Sequence, residues 1–305
     1  MQFTFSGISK ERLDKFLHAH YPGLSRSQIQ KFIEREKVAV NGKQAEIHHW
    51  LKNGDTIEGA DPQPAERQPR GTTIEEPMTL EVNDDFAIII KPAGLLIHPT
   101  EREEDDTMAD WLRKKFPQIA TVGDDPKRPG IVHRLDKDVS GLVLVALNQP
   151  TFEYFKGLFQ EHTITKKYYC LVHGVIQPDE GQIDTPIERS RSKGRMIAQS
   201  GTGKGKHAIT TFRVLKRFVN YTLLDVQILT GRSHQIRTHF FSIGHSIVGD
   251  KLYQTRDVRK KKKTSDLDKP FLFAYYLRFS DREGMSHEYT LELPEPLKLF
   301  LEKSN

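Results

Sequence analysis

Cysteine is almost missing from this chain: Cys170 is alone among 305 residues. A single thiol closes no internal disulfide and is too few for the thiolate sets of structural zinc sites. Long apolar runs are missing as well, since no stretch approaches the roughly 18 apolar residues that cross a bilayer. The opening Met1-Gln2-Phe3-Thr4-Phe5 lacks the charged start and long apolar core of a signal peptide. A large charge excess is also absent, because 46 basic residues face 41 acidic ones and leave a formal +5. No internal repeat is evident. These absences give the expectation of a cytoplasmic protein without membrane attachment, with a monomer as the default. The chemistry must be sought in how the charges are distributed rather than in their total.

What is present separates by composition into three regions. In the first, Leu13, Phe16 and Leu17, then Ile29, Phe32 and Ile33, recur at helical spacing, and Ser25 is a suitable N-cap for the second helix. Val38-Ala39-Val40 followed by Asn41-Gly42 predicts a strand and hairpin turn, and Leu51-Lys52-Asn53-Gly54-Asp55-Thr56-Ile57 repeats that grammar. A polar, proline-rich stretch over 61–76 predicts a linker between a unit at 1–60 and a larger one at 77–305. The larger unit is dominated by strand-like runs, such as Ala87 to Ile90, Gly141 to Ala146, Tyr221 to Leu229 and Tyr289 to Leu293. Helical patterns are fewer, the clearest being Met108 to Phe116, Thr151 to Gln160 and His234 to Ser242. Strand runs with occasional helices predict an α+β fold with a mixed or antiparallel sheet.

Four segments of the large unit carry candidate chemistry. In His133-Arg134-Leu135-Asp136-Lys137-Asp138-Val139-Ser140-Gly141 a carboxylate stands between two cations, just before a buried strand. Loops at such places display chemistry, and the flanking charges favour the ionised form, so Asp136 is a candidate nucleophile. In Ile90-Lys91-Pro92-Ala93-Gly94 a strand runs into a tight turn. In Lys166-Lys167-Tyr168-Tyr169 the two tyrosines face opposite sides of a strand, so at most one enters a given pocket. In Thr230-Gly231-Arg232-Ser233-His234-Gln235-Ile236-Arg237-Thr238-His239 a strand ends and a helix is expected from Ser233. Arg232 at that junction is placed to reach a carboxylate or phosphate.

The order Arg12-Leu13-Asp14-Lys15-Phe16-Leu17, Leu24 to Ile33, Val38 to Lys43 and Leu51 to Asp55 resembles the RNA-binding domain named after ribosomal protein S-four. The four segments together resemble pseudouridine synthases of the RluA/RluD type. The resemblance implies a small α/β RNA-binding domain followed by a catalytic domain with a mixed, mostly antiparallel sheet flanked by helices. By the same resemblance Asp136 is the nucleophile, Arg134 fills the space left by the flipped base, and Tyr168 packs on the uracil. Arg232 would pair with Asp136, while Arg12, Lys15, Arg26, Lys31, Arg35 and Lys43 would meet RNA phosphates. No cofactor or metal is implied, and the implied partner is RNA, ribosomal more than transfer RNA. The sequence departs from the family pattern at Val139, where threonine is usual, at Ser246, where proline is common, and at Phe273, where histidine is common.

Other features carry less. Gly201-Thr202-Gly203-Lys204-Gly205-Lys206 hints at a phosphate loop, but the Walker spacing fails because position 200 is serine. His48, His49, His234, His239 and His245 lack a partner set for zinc and are expected in core or surface roles. Lys260 to Lys263 reads as a solvated loop. The alternative from another class is a non-catalytic RNA-binding or ribosome-assembly factor. An inactive relative of this kind is expected to have lost the aspartate or its arginine.

Overall fold

The computed structural model describes residues 1–7, 9–22, 24, 26–35, 38–62, 75–99, 106–190, 194–199, 205–260 and 266–304, without the side chains of Arg26, Ser27, Lys31 and Arg35. Contacts divide the described chain into two units, one ending at residue 62 and one beginning at 75. Most of the expected linker, and the Ser25 cap, lie outside the described residues.

The first unit runs β1 (Gln2–Thr4), β2 (Glu11–Arg12), α1 (Leu13–His20), α2 (Arg26–Arg35), β3 (Ala39–Val40), β4 (Lys43–Gln44), β5 (Trp50–Leu51) and β6 (Thr56–Glu58). Its helical spacing is realised: Leu13, Leu17, Ile29 and Ile33 are buried together with Val40, Leu51 and Ile57. Asn41 and Gly42 both take positive φ, 53° and 72°, which closes the β3–β4 hairpin as the Asn-Gly pair predicts. The second turn differs from its expected role. β5 pairs with β2, whereas β6 joins the sheet ordered β1-β6-β3-β4, so Asn53-Gly54 reverses the chain between two sheets rather than within a hairpin. The turn signal is local, but strand partners are chosen by burial, here of Leu51 and Ile57.

The second unit comprises β7 (Met78–Val82), β8 (Phe86–Lys91), α3 (Met108–Lys115), β9 (Ser140–Ala146), α4 (Gln149–Gln160), β10 (Thr165–His173), β11 (Glu180–Asp184), β12 (Ile187–Arg189), β13 (Met196–Ala198), β14 (Ile209–Arg217), β15 (Tyr221–Ile228), α5 (Gln235–Ser242), α6 (Arg256–Lys260), β16 (Leu272–Ser280), β17 (Ser286–Thr290) and α7 (Glu295–Glu302). A sheet ordered β11-β14-β15-β10-β16-β9-β8-β7, with β17 also on β16, forms its centre. Every described pairing in that sheet is antiparallel except β9 with β16. The runs Phe86 to Ile89 and Leu142 to Ala146 are buried because β8 and β9 are interior strands, packed with Met108 and Leu112 of α3 and Phe152 and Phe155 of α4. The last strand begins earlier than its apolar residues suggest, at Ser286.

The parallel join is short and depends on one glycine. Only Ser140 and Gly141 of β9 pair with β16, opposite Phe273 and Ala274. Gly141 has φ +126°, and a Cβ there would lie 2.2 Å from the carbonyl oxygen of Ala274. Beyond that point the loop before β9 folds back along it, with Ile131 bridging to Val145. This leaves the Asp136 turn at the lip of the sheet.

Candidate active site

Three side chains or turns hold the loop that carries Asp136. The Val139 N–H donates to the Asp136 carbonyl at 3.1 Å and closes the turn. The His133 Nε2 accepts the Leu144 N–H at 2.8 Å, and its ring stacks on Phe159 with centroids 4.7 Å apart. Burial drives this imidazole down to about 3, and the charge of Lys166 adds to the effect. His133 is therefore a neutral acceptor near pH 7 and a structural member of its motif. Lys91, fully buried at the end of β8, donates to the carbonyls of Pro92 (2.8 Å), Leu95 (2.9 Å) and Lys137 (3.0 Å). Gly94 N–H also donates to the Lys137 carbonyl at 2.8 Å. The Lys-Pro turn thus buttresses the Asp136 loop.

Lys91 illustrates opposed forces. Burial lowers its ammonium to about 7, while Asp138 and Asp136 pull upward and Lys269 adds to the lowering. Three carbonyls match the three donors of the charged form. Lys91→Met removes all three bonds, and buried polar groups left unsatisfied cost roughly 1–3 kcal/mol each. The expected result is a loss of about 3 kcal/mol in unfolding free energy of this unit. Turnover should fall while RNA affinity holds. Denaturant unfolding and single-turnover rates check this, and a variant as stable and fast as the parent would refute the buttress.

Asp136 opens onto a cavity of about 570 Å³. Arg237 of α5 donates through Nη1 to Asp136 Oδ2 at 3.1 Å. The same guanidinium grips Asp250 with two bonds, Nε to Oδ2 at 2.7 Å and Nη2 to Oδ1 at 3.1 Å. Asp250 is 1% exposed, and its Oδ1 also accepts the N–H groups of Leu252 and Tyr253. Burial works against the charge on Arg237, but Asp250 and Asp136 outweigh it and raise its pKa. The guanidinium is therefore held from behind and presents one edge to Asp136.

Tyr168 lines the same cavity from β10 and is 5% exposed. Burial, then the Asp136 charge, raise its phenol well above the ordinary value, so it stays protonated near neutrality. Tyr169 faces the opposite side of the sheet and stacks on Tyr275 with centroids 3.8 Å apart, as strand alternation predicts. Arg134 is exposed on the cavity wall, and Lys166 stands two residues before Tyr168 with its ammonium 4.8 Å from the Phe159 ring centroid. Burial lowers Lys166 to about 8. The cavity is thus walled by cations around one carboxylate and one buried aromatic ring.

A profile of RNA pseudouridylate synthase matches residues 85–242, which contain this whole constellation apart from Asp250. The chain belongs to the RNA pseudouridylate synthase family. A profile of the S4 domain matches residues 11–57. An uncharacterized RNA pseudouridine synthase of Bacillus subtilis is 36% identical over 296 residues, covering 96% of this chain and 93% of the relative. Ribosomal large subunit pseudouridine synthase D of Haemophilus ducreyi is 35% identical over 292 residues, covering 94% and 84%. The solved human RNA pseudouridylate synthase domain containing 1 overlays with a TM-score of 0.59 at 27% identity, covering 73% of this chain and 86% of that one. This synthase is accordingly an isomerase with an RNA-binding S4 domain.

The geometry corrects one expectation about the synthase site. Arg232 does not hold Asp136; its Nε donates to the His207 carbonyl at 3.0 Å, and Arg237 holds the carboxylate instead. The reason lies in how α5 starts. Its first turn has no side-chain cap from Ser233, and His234 sits there with φ 55°. The Gln235 side chain closes the strand end, accepting from the Thr230 hydroxyl and the Arg232 N–H and donating to the Ile209 carbonyl. That closure leaves Arg232 half-buried on the cavity wall and turns Arg237, on the buried face with Ile236 and Phe240, toward Asp136. Asp250 and Lys91 were likewise not singled out. A charged residue inside the buried stripe of a helix was the available signal for Arg237, because such a charge requires a carboxylate.

The remaining named residues are placed as follows. His239 is buried between the Thr210 hydroxyl and the Thr185 carbonyl, in keeping with a core role. Val139 is 2% exposed, and its backbone bond to Asp136 survives the missing hydroxyl. Ser246 Oγ accepts the Thr255 N–H, and Phe273 is buried. In the S4 domain Lys15 and Lys43 are exposed, whereas Arg12 is half-buried against Asp14. Arg26, Lys31 and Arg35 lie on α2, but their side chains fall outside the described residues, as do most of the Gly201–Lys206 loop and the Lys260–Lys263 run. No described helix is long and apolar enough to cross a membrane.

Proposed function

We propose that this synthase isomerises specific uridines of large-subunit ribosomal RNA, with Asp136 as the nucleophile. The observation that carries the reading is the Asp136 carboxylate, 3.1 Å from Arg237 and open to a cation-walled cavity that also holds Tyr168. Arg237 aims the carboxylate, and Asp250 aims Arg237. A uridine inside a duplex cannot reach such a carboxylate, so the base must leave its helix, and exposed Arg134 fills the gap. Tyr168 packs its ring on the uracil, and its high pKa suits a face rather than a phenolate base. Arg232 and Lys166 offer charge to the flanking phosphates.

The chemistry balances within the substrate. The bond from the ring nitrogen of uracil to the anomeric carbon breaks while Asp136 attacks that carbon or stabilises its departure. The base turns, and its carbon 5 joins the anomeric carbon as any bond from that carbon to Asp136 breaks and the carboxylate is regenerated. The proton displaced from carbon 5 is matched by one gained at the freed nitrogen. Product and substrate are isomers, so the reaction calls for neither an electron carrier nor a hydrolytic water.

The choice of ribosomal RNA is supported by the relative named ribosomal large subunit pseudouridine synthase D, similar over 94% of this chain. The test incubates the purified protein with transcripts of large-subunit RNA, small-subunit RNA and transfer RNAs, then maps pseudouridine by chemical labelling and primer extension. Pseudouridine confined to large-subunit RNA is expected. Modification of transfer RNA alone would overturn the target. RNA binding without modification of any transcript would favour the non-catalytic alternative.

A further inference from the structure

The S4 domain carries an exposed aromatic ring that its own core does not use. Trp50 is 56% exposed, while its neighbour Leu51 on β5 is fully buried, so strand alternation turns the indole outward. Trp50 is absent from the residues packed against the core of this unit, and its ring contacts no other described aromatic ring or cation. Tryptophan is highly buried on average, which sets this open indole apart from smaller apolar residues at the surface.

The surroundings say which partner fits. Trp50 pairs across the strands with Arg12 and borders a shallow cavity of about 360 Å³ that also meets Lys10, Lys15 and Glu11. Three cations thus face one acid. Lys10 and Lys15 are exposed and have no carboxylate partner among the described residues. Arg12 is pinned: its Nε and Nη2 donate to the two oxygens of Asp14 at 3.0 and 2.9 Å, and Asp14 is fully buried and also accepts from Gln30. A fixed guanidinium, two free ammoniums and an open indole face form one surface.

We propose that Trp50 is a stacking platform for an unpaired base of the bound RNA, with Lys10, Arg12 and Lys15 meeting the phosphates beside it. A nucleotide combines the two features this surface complements, a flat π-face and an adjacent negative charge. Such stacking tolerates any base, so Trp50 senses the presence of an unpaired nucleotide rather than its identity. The role rests on the RNA grip of the S4 domain and extends it from duplex backbone to a single-stranded segment next to it.

The test uses the full chain and two RNAs, a blunt-ended duplex without a loop and the same duplex carrying a short single-stranded extension. Trp50→Ala should weaken binding of the extended RNA about tenfold, as loss of one stacked base does, and leave the blunt one within about twofold. Trp50→Phe keeps a ring and should bind within about threefold of the parent. The chain has two tryptophans, so the fluorescence quench on adding extended RNA should largely vanish in Trp50→Phe, where only Trp111 emits. Lys15→Glu should weaken both RNAs. If Trp50→Ala binds like the parent while Lys15→Glu does not, the platform is refuted and the grip stands. If neither variant changes affinity, both fall. Equal weakening of both RNAs by Trp50→Ala, or a Trp50→Phe variant as weak as Trp50→Ala, also overturns base stacking.

Discussion

Asp136→Asn is expected to abolish pseudouridine formation while RNA affinity stays within about threefold, since most RNA contacts are made to phosphates by other residues. The substitution is nearly isosteric, and the amide oxygen still accepts from Arg237 Nη1, which sits 3.1 Å from the present carboxylate. Arg237 keeps its two bonds to Asp250, so the fold around it loses little. What disappears is the negative charge able to attack or stabilise the anomeric carbon. Loss of a nucleophile within an assembled site typically costs on the order of 10⁴-fold or more in rate. Single-turnover assays with saturating enzyme separate this from binding. Activity within about tenfold of the parent would assign the nucleophile elsewhere, because no such loss could then be charged to Asp136.

Much of the fold was legible because its determinants are local. The unbroken apolar runs at Phe86 to Ile89 and Leu142 to Ala146 are strands buried on both faces, and β8 and β9 lie inside the sheet. The helical stripes of α1 and α2 and the Asn41-Gly42 hairpin follow from spacing and turn chemistry in the same way. The partnership of β5 was not legible. A two-residue strand carries almost no register information, and Leu51 is claimed by the helical core rather than by the strand that follows it.

The site divides along the same line. Asp136 and Tyr168 could be named from their motifs, and both line one cavity although they come from a loop and a strand far apart in sequence. The choice between Arg232 and Arg237 could not be made at the level of the motif, which contains both. It depends on where α5 begins, and that is decided by the Gln235 side chain bonding to Thr230, Arg232 and Ile209 rather than by a capping serine. Lys91 was visible only as part of a turn. Its three carbonyl partners come from two loops, and such a convergence has no one-dimensional trace.

The Arg237–Asp250 pair permits the sharpest separation of chemistry from stability. Arg237→Met leaves Asp250 buried and uncompensated, facing Asp136 with no cation between them. Breaking a buried pair by removing one partner costs about 3–5 kcal/mol, and the transition of the catalytic unit in denaturant should shift accordingly. The rate should also fall by about 10²–10³-fold, the loss typical of removing one oriented charged donor. Adding Asp250→Asn removes the stranded charge but keeps an oxygen for the Leu252 and Tyr253 N–H groups, which now lie 2.9 and 3.0 Å from the carboxylate. The double variant should therefore regain most of the stability. It should not regain the rate, because Asp136 still lacks the guanidinium edge that aims it. A double variant as fast as the parent would mean that Arg237 serves only the fold. A stable, fast Arg237→Met would mean that the 3.1 Å contact to Asp136 carries no functional weight. Asp250→Asn alone completes the cycle: Arg237 then keeps Asp136 as its one charged partner but loses its rear anchor, so turnover should drop with little change in RNA affinity.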